Sequence, residues 1–166
     1  MIIQCTKKML DALKIKEPLC KERENLNNEL EYWHCNLVKY GKENAVILTH
    51  DKTLFSFFLI GLRVEDFKNF DEVISQFIFK ILFNLEFEQK KAELVLESLE
   101  NISYAKSSNK SVLASMNQMK KDIDYGLLLD DEDIFTINYS INNRIYGMIN
   151  YDKPIDRFHN FLDSLL

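Results

Sequence analysis

Two histidines, His34 and His50, are the polar residues whose spacing suggests a shared site. They lie in two alternating runs that flank the short polar segment Gly41-Lys42-Glu43, as in a β-hairpin. A hairpin symmetric about Lys42 places the two imidazoles face to face, with Cβ atoms about 5 Å apart. Such a pair could bind a metal ion or share a proton. A zinc site needs a third protein ligand and none is suitably spaced, so the favoured alternative is two half-exposed strand histidines.

A second group of candidate binding residues follows Tyr104. The segment Lys106-Ser107-Ser108-Asn109-Lys110 combines amide, hydroxyl and ammonium groups just before a predicted helix, where a phosphate or a nucleotide base could bind. It lacks the Gly-rich spacing of a phosphate loop, so a solvated loop is the favoured alternative. Arg144, in a stretch rich in Asn and Tyr, could bind a carboxylate or phosphate of a partner, or the protein's own carbonyls.

The cysteines and the acidic run do not indicate catalysis. Cys5, Cys20 and Cys35 form no Cys-x-x-Cys pair, and the sequence names no partner base, so we predict free thiols in a reducing cytoplasm. The run Asp130–Asp133 lacks the alternating ligands of an EF-hand and is interpreted as a solvated loop. We therefore assign no catalytic residue, no metal site and no cofactor.

Length and composition predict one globular α+β domain spanning residues 1–166. The chain is 46% hydrophobic and 28% charged, which is typical of a folded domain. Its net charge of -5 does not favour binding to nucleic-acid backbones. The apolar window Leu54–Leu62 is too short to cross a bilayer, and Val73–Phe87 is interrupted by polar residues, so we expect no membrane association.

Hydrophobic periodicity predicts a small antiparallel sheet packed against several helices. Residues 30–40, 45–50 and 54–62 form a three-strand meander, with the last strand central or covered on both faces. Short edge strands are predicted at residues 2–5, 102–105 and 134–139. Helices are predicted after Thr6, Asn69, Glu88 and Ser111 and from Pro154, with Gly126 ending the fourth.

Alternation within the first meander strand separates two faces. Trp33, Cys35 and Leu37 lie on one face, and His34 and Asn36 lie on the other. The large indole should take the core side, which leaves His34 and Asn36 as an accessible polar face. In the helix after Asn69, the predicted buried stripe is centred on Phe77, so Phe77→Ala should be severely destabilising.

Three stretches of the chain resemble an uncharacterised bacterial domain family of unknown function. They are the opening Met1-Ile2-Ile3-Gln4-Cys5-Thr6-Lys7-Lys8, the strand Trp33-His34-Cys35-Asn36-Leu37, similar to the family's Trp-His-Ala-Asn-Leu, and the segment Asn109-Lys110-Ser111-Val112-Leu113-Ala114-Ser115-Met116-Asn117, similar to its Asn-Arg-Ser-Val-Leu-Gly-x-Met-Asn. Here Lys110 replaces the family's Arg and Ala114 its Gly. The resemblance implies a small cytoplasmic bacterial protein with no known activity, so no catalytic residue is carried over.

Two functions remain after this survey. The favoured one is a non-enzymatic bacterial or phage-encoded interaction or regulatory module of the inhibitor type, whose partner is another protein, because no activated nucleophile, metal cluster or phosphate loop is evident. The alternative is a small enzyme or binding protein that acts on nucleotides or nucleic acid through His34, Asn36, His50 and the Lys106–Lys110 loop. The sequence does not define the oligomeric state.

Overall fold

The computed structural model describes residues 1–18, 29–129 and 132–166. Its elements in chain order are β1 (Ile2–Cys5), α1 (Lys7–Leu13), a 3-10 turn (Glu29–Glu31), β2 (Tyr32–Tyr40), β3 (Glu43–His50), β4 (Ser56–Leu62), α2 (Phe70–Asn84), α3 (Gln89–Glu97), β5 (Ser103–Lys106), α4 (Lys110–Leu129), α5 (Ile134–Asn143), a second 3-10 turn (Gly147–Ile149) and α6 (Pro154–Asp163). The α+β class is confirmed. No helix in these ranges is long and apolar enough to cross a membrane.

The sheet is mixed, so the prediction of a purely antiparallel sheet is wrong. Its strand order is β4-β3-β2-β1-β5. The antiparallel meander of β2, β3 and β4 is present as predicted, but β1 lies between β2 and β5 and is parallel to both. Parallel neighbours need long connections. Here the chain between β1 and β2 includes α1, and the chain between β1 and β5 includes the meander followed by α2 and α3.

Helices cover both faces of the sheet. On one face, Trp33, Leu48 and Phe57 belong to a buried cluster that includes side chains from α1, α2, α3 and α6. On the other face, Ile47 and Phe58 pack with residues of α4 and α5. The nearly continuous hydrophobicity of β4 follows from burial on both sides, and Trp33 is fully buried as predicted.

Phe158 of α6 lies at the centre of the aromatic part of the core. Its ring centroid is 4.4 Å from that of Phe55, 5.3 Å from that of His50, 5.8 Å from that of Trp33 and 6.0 Å from that of Phe87. The Phe55 contact is a parallel stack and the Trp33 contact is edge to face. Both are favourable arrangements of aromatic rings, so this residue joins the sheet to the helices that cover it.

The buried face of α2 is rotated relative to the prediction. Ile74, Ile78 and Leu82 are buried, whereas Phe77 is only partly buried. Apolar residues cover more than half of this helix's circumference, so the sequence period identifies the helix without fixing the centre of its buried stripe.

The segment predicted as a strand at residues 134–139 is instead part of α5. Asp133 begins this helix, since its Oδ1 accepts hydrogen bonds from the backbone N–H groups of Phe135 at 2.7 Å and Thr136 at 3.0 Å. Gly126 does not end the preceding helix, which continues to Leu129. Both differences reflect tertiary packing that overrides a local preference.

Two asparagines of α5 hydrogen-bond the backbone of β4. Asn138 Nδ2 donates to the Phe58 carbonyl at 2.9 Å, and its Oδ1 accepts from the Phe58 N–H at 2.8 Å. Asn142 makes the same two bonds with Ser56, at 2.7 and 2.8 Å. Ser56 and Phe58 are two residues apart on a strand, a distance of about 6.6 Å. Asn138 and Asn142 are four residues apart on a helix, a distance of about 6 Å, so each asparagine reaches its own strand residue. At Ser56 and Phe58 the backbone groups of the edge strand β4 are thereby satisfied without a further strand.

Candidate ligand-binding site

The two histidines do not face each other, so the predicted face-to-face pairing of His34 and His50 is wrong. Trp33 pairs with His50, and His34 pairs with Thr49. The hairpin turn contains only two residues, Gly41 and Lys42, because Tyr40 pairs with Glu43. Gly41 has a φ of 60°, which a glycine adopts without strain at the first position of such a turn. This shifts the register by one residue from the symmetric hairpin and places the two imidazoles on opposite faces.

His50 is a core residue. It is fully buried, and its Nδ1 lies 2.9 Å from the Thr53 hydroxyl. Its ring packs 5.0 Å from the centroid of Trp33 and 5.1 Å from that of Phe161. These contacts indicate that His50 has a structural role in the aromatic cluster.

His34 is also fully buried, which contradicts its predicted exposure. Its Nδ1 lies 2.5 Å from Asp51 Oδ1, and Gln4 Nε2 donates to Asp51 Oδ2 at 2.9 Å. The carboxylate accepts from Nδ1–H and so fixes the orientation of the imidazole. Nε2 has no hydrogen-bond partner within the described ranges. The face is covered because α4 packs across it.

Asn36 lies in a different environment, at an open crevice of about 820 Å³. β1 ends opposite Cys35, whereas β2 continues to Tyr40. The crevice opens beside this extension of β2, between the start of α1 and the middle of α4. Its lining consists of mostly cationic and amide side chains together with a short apolar stretch: Thr6, Lys7, Lys8, Asp11, Asn36, Leu37, Val38, Lys39, Asn117 and Lys120. We call it the lysine crevice.

The position of the lysine crevice in the fold is typical of ligand sites. β1 and β5 are adjacent and parallel. After β1 the chain turns into α1, which packs on the Trp33 face, and after β5 it turns into α4, which packs on the opposite face. Such a reversal at the carboxyl ends of neighbouring strands is where open α/β sheets bind their ligands.

The electrostatics of the lysine crevice contrast with the acidic balance of the whole chain. Lys7, Lys8 and Lys39 are exposed, and none of them pairs with a carboxylate among the residues described. Lys120 differs, because its Nζ lies 2.9 Å from Asp124 Oδ2 and 5.4 Å from the centroid of the Tyr40 ring. A protein of net charge -5 thus presents a local cluster of cations here.

A hydrogen bond orients the amide of Asn36. The Thr6 hydroxyl donates to Asn36 Oδ1 at 3.1 Å instead of capping α1 as the sequence predicted. This contact occupies the carbonyl oxygen and leaves the amide N–H groups of Asn36 as donors. With the exposed Asn117 on the opposite wall, the crevice offers mainly hydrogen-bond donors and suits a ligand rich in acceptor oxygens.

The predicted Lys106–Lys110 loop lies next to Thr6. The Ser107 N–H donates to the Cys5 carbonyl at 2.9 Å, which places the loop beside the point where β1 ends. Lys106 and Lys110 are exposed at its two ends. Asn109 has a structural role, since its Oδ1 accepts from the backbone N–H groups of Ser111 at 3.1 Å and Val112 at 3.3 Å, which caps α4.

The candidate residues therefore occupy separate places. Asn36 lines the lysine crevice, whereas Lys106 and Lys110 are not among its lining residues and lie at the two ends of the loop after β5. Arg144 forms an ion pair with Asp122 between α4 and the end of α5. The sequence did not identify Lys7, Lys8, Lys39, Asn117 and Lys120, because residues so distant along the chain meet only through the parallel placement of β1. The spacing of these lysines carries no signal that could have revealed them.

Cys5 and Cys35 lie opposite each other on β1 and β2, and both are buried free thiols. Burial, together with a hydrogen bond that the protonated Cys35 thiol makes to Cys5, raises the pKa of Cys35. Lack of access makes both cysteines unreactive, and the raised pKa of Cys35 also lowers its thiolate content. Cys20, and Asp130 and Asp131 of the acidic run, lie outside the described residues.

We expect Cys5 and Cys35 to react with Ellman's reagent only when the protein unfolds. Their labelling, followed by mass spectrometry, should be slow in buffer and fast in denaturant. Dithiothreitol should leave the Tm unchanged. Rapid labelling of either thiol in the folded protein, or a lower Tm with reductant, would contradict their assignment as inert core residues.

These features define an α+β protein whose mixed sheet carries a lysine-rich crevice at the ends of its parallel strands. A family model described as a domain of unknown function (DUF6933) matches residues 2–157, so the chain belongs to this family and the resemblance noted from its sequence is confirmed. No curated protein and no solved structure matches the chain.

Proposed function

We propose that the protein binds a phosphate-bearing ligand of nucleotide size in the lysine crevice. The observation that carries the proposal is the meeting of three exposed lysines, Lys7, Lys8 and Lys39, at one concave site. Its volume of about 820 Å³ lies within the range of small-molecule sites, about 300–1,000 Å³. This favours the hypothesis of a protein that acts on nucleotides. Of the residues that the sequence suggested for this role, Asn36 lines the crevice, and the other lining residues are different ones.

The remaining lining residues suit the rest of such a ligand. Asn36 and Asn117 can donate to acceptor groups on a base or sugar, and Leu37 with Val38 offers apolar contact. Among the described lining residues, Asp11 is the one carboxylate and neither histidine nor cysteine occurs. A binding role, rather than acid–base or nucleophilic catalysis, therefore fits this set of side chains.

The test is calorimetric titration with AMP, ATP and inorganic pyrophosphate. A charge-assisted hydrogen bond contributes about 1.5–3 kcal/mol, so the double variant Lys7→Ala/Lys8→Ala should weaken binding by roughly tenfold or more. The matched control is Lys90→Ala, because Lys90 is equally exposed and lies on α3, away from the crevice. Rising salt should weaken wild-type binding.

Failure of every ligand to bind wild type, or equal binding by the double variant and the control, would contradict the proposal. An oligonucleotide that binds more tightly with increasing length, and through the same lysines, would replace a nucleotide with nucleic acid as the ligand.

A second candidate function is a regulatory module that binds another protein, the hypothesis favoured by the sequence. It is supported by Phe79 and Phe83 on α2, whose side chains are 55% and 78% exposed. Exposed aromatic residues are enriched at protein interfaces. A complex isolated by chemical cross-linking should be lost in Phe83→Ser and retained in Lys90→Ala; equal recovery from both variants would remove α2 from the interface.

We also propose that this is one domain acting in a reducing bacterial cytoplasm, encoded by the bacterium or by a phage. The buried free thiols of Cys5 and Cys35 support the reducing compartment. The packing of both core clusters against one sheet supports the single domain.

A further inference from the structure

The exposed face of α5 differs in composition from the rest of the surface. None of the ten residues of Ile134–Asn143 is charged, whereas 28% of the whole chain is. Phe135 and Tyr139, four positions apart, are 38% and 58% exposed, and Thr136 and Ser140 are exposed beside them. Residues with this spacing lie on one face of a helix, so they form an uncharged aromatic stripe, which we call the α5 stripe.

The α5 stripe is not required for folding of the chain itself. The opposite side of the helix buries Ile137 and Ile141 in the core and directs Asn138 and Asn142 at β4. Those contacts hold α5 in place without its exposed aromatics. Depletion of charge together with enrichment of aromatics is the composition of an interface core.

The two ends of the stripe carry opposite charges. Asp133 precedes the helix at its N-terminal end and Arg144 follows it at the C-terminal end. Both are exposed, although Asp133 caps the helix and Arg144 contacts Asp122. We propose that the α5 stripe is a two-fold contact between two copies of this chain, with the two α5 helices antiparallel.

Charge complementarity favours a second copy of this chain as the partner and an antiparallel orientation of the two α5 helices. An antiparallel pair brings Asp133 of each copy next to Arg144 of the other, and it also opposes the two helix dipoles favourably. A parallel pair would place like charges together at both ends. Exposed ion pairs contribute little affinity, so the acid and the base set the orientation and the uncharged centre supplies the contact.

The size of the stripe indicates a weak dimer. Ten helical residues span about 15 Å. A single helix of this length buries less surface than the roughly 800 Å² per partner of a standard interface. α2 packs beside α5 and adds flanking surface at the edge of the stripe. We therefore expect dissociation in the micromolar range and a two-fold axis near the middle of α5, where Tyr139 lies.

Sedimentation velocity over a range of concentrations tests the proposal. Wild type should show a reversible monomer–dimer equilibrium. Tyr139→Glu places two like charges near the axis and should shift dissociation to at least tenfold higher concentration, with an unchanged circular dichroism spectrum. Tyr151→Glu is the matched control, because Tyr151 is also exposed and lies outside α5, and it should dimerise like wild type.

Cross-linking locates the contact independently. Oxidation of Tyr139→Cys with diamide should give a covalent dimer, whereas Tyr151→Cys and wild type, which reports any contribution from Cys20, should not. Wild type that is monomeric at every concentration would overturn the proposal, as would a dimer that Tyr139→Glu leaves intact or equal cross-linking of the two cysteine variants. None of these outcomes depends on a ligand in the lysine crevice.

Discussion

Replacing Phe158 with alanine is expected to lower the free energy of unfolding by about 3–5 kcal/mol. The side chain is fully buried, and its ring contacts those of Trp33, His50, Phe55 and Phe87. Removal therefore costs the transfer free energy of the ring and leaves a cavity bordered by rigid aromatic neighbours, which cannot collapse easily. Domains of this size are stable by about 5–15 kcal/mol, so this loss is a large fraction of the total.

Urea denaturation followed by circular dichroism measures the effect. Two other phenylalanines provide a graded comparison, because Phe77 is partly buried and Phe83 is 78% exposed. The expected order of destabilisation is Phe158→Ala, then Phe77→Ala, then Phe83→Ala, with the last close to wild type. A larger effect at Phe77 than at Phe158 would restore the buried stripe that the sequence predicted for α2.

The second large effect is expected from Asn138→Ala, at about 2–4 kcal/mol. Asn138 is fully buried, and its amide satisfies both the N–H and the carbonyl of Phe58. Each buried backbone group left without a partner costs about 1–3 kcal/mol. Asn143→Ala is the matched control on the same helix, since the Asn143 side chain bonds the carbonyl of Tyr139 at an exposed position.

A charged replacement separates hydrogen bonding from packing. Asn138→Asp keeps the shape and one acceptor oxygen but removes the donor and buries a negative charge. Burial raises the pKa of such a carboxyl, so the folded variant binds more protons than the unfolded one near neutral pH. Its stability should therefore improve relative to wild type as the pH falls. Amide exchange at Phe58 should be faster than in wild type at neutral pH.

Local patterns were sufficient for much of the architecture. The burial of Trp33, the strands of the meander and the start of α6 at Pro154 all follow from alternation, apolar content and capping chemistry. The predicted face-to-face pairing of His34 and His50 failed because the register of a hairpin depends on turn length, and one residue fewer in the turn moved His50 from the face of His34 to that of Trp33.

Features that depend on contacts between distant parts of the chain could not be predicted from the sequence, for a different reason. The parallel pairing of β1 joins residues about thirty positions apart, and it is this pairing that brings Lys7, Lys39 and Lys120 to one crevice. In α5, the β-branched and aromatic residues favoured a strand. The helix is stabilised instead by burial of Ile137 and Ile141 and by the asparagine bonds to β4. Both are contacts with the sheet, which the local sequence does not reveal.

The bonds between α5 and β4 also determine how the molecule behaves in concentrated or crowded solution. An open edge strand is a template on which another chain can add by backbone pairing, and that addition can repeat without limit. Here the edge strand β4 contains the apolar run Phe57-Phe58-Leu59-Ile60, and two amide side chains occupy its outward backbone groups at Ser56 and Phe58. We therefore expect Asn138 and Asn142 to protect this edge from pairing with another chain, and loss of their bonds to favour polymerisation.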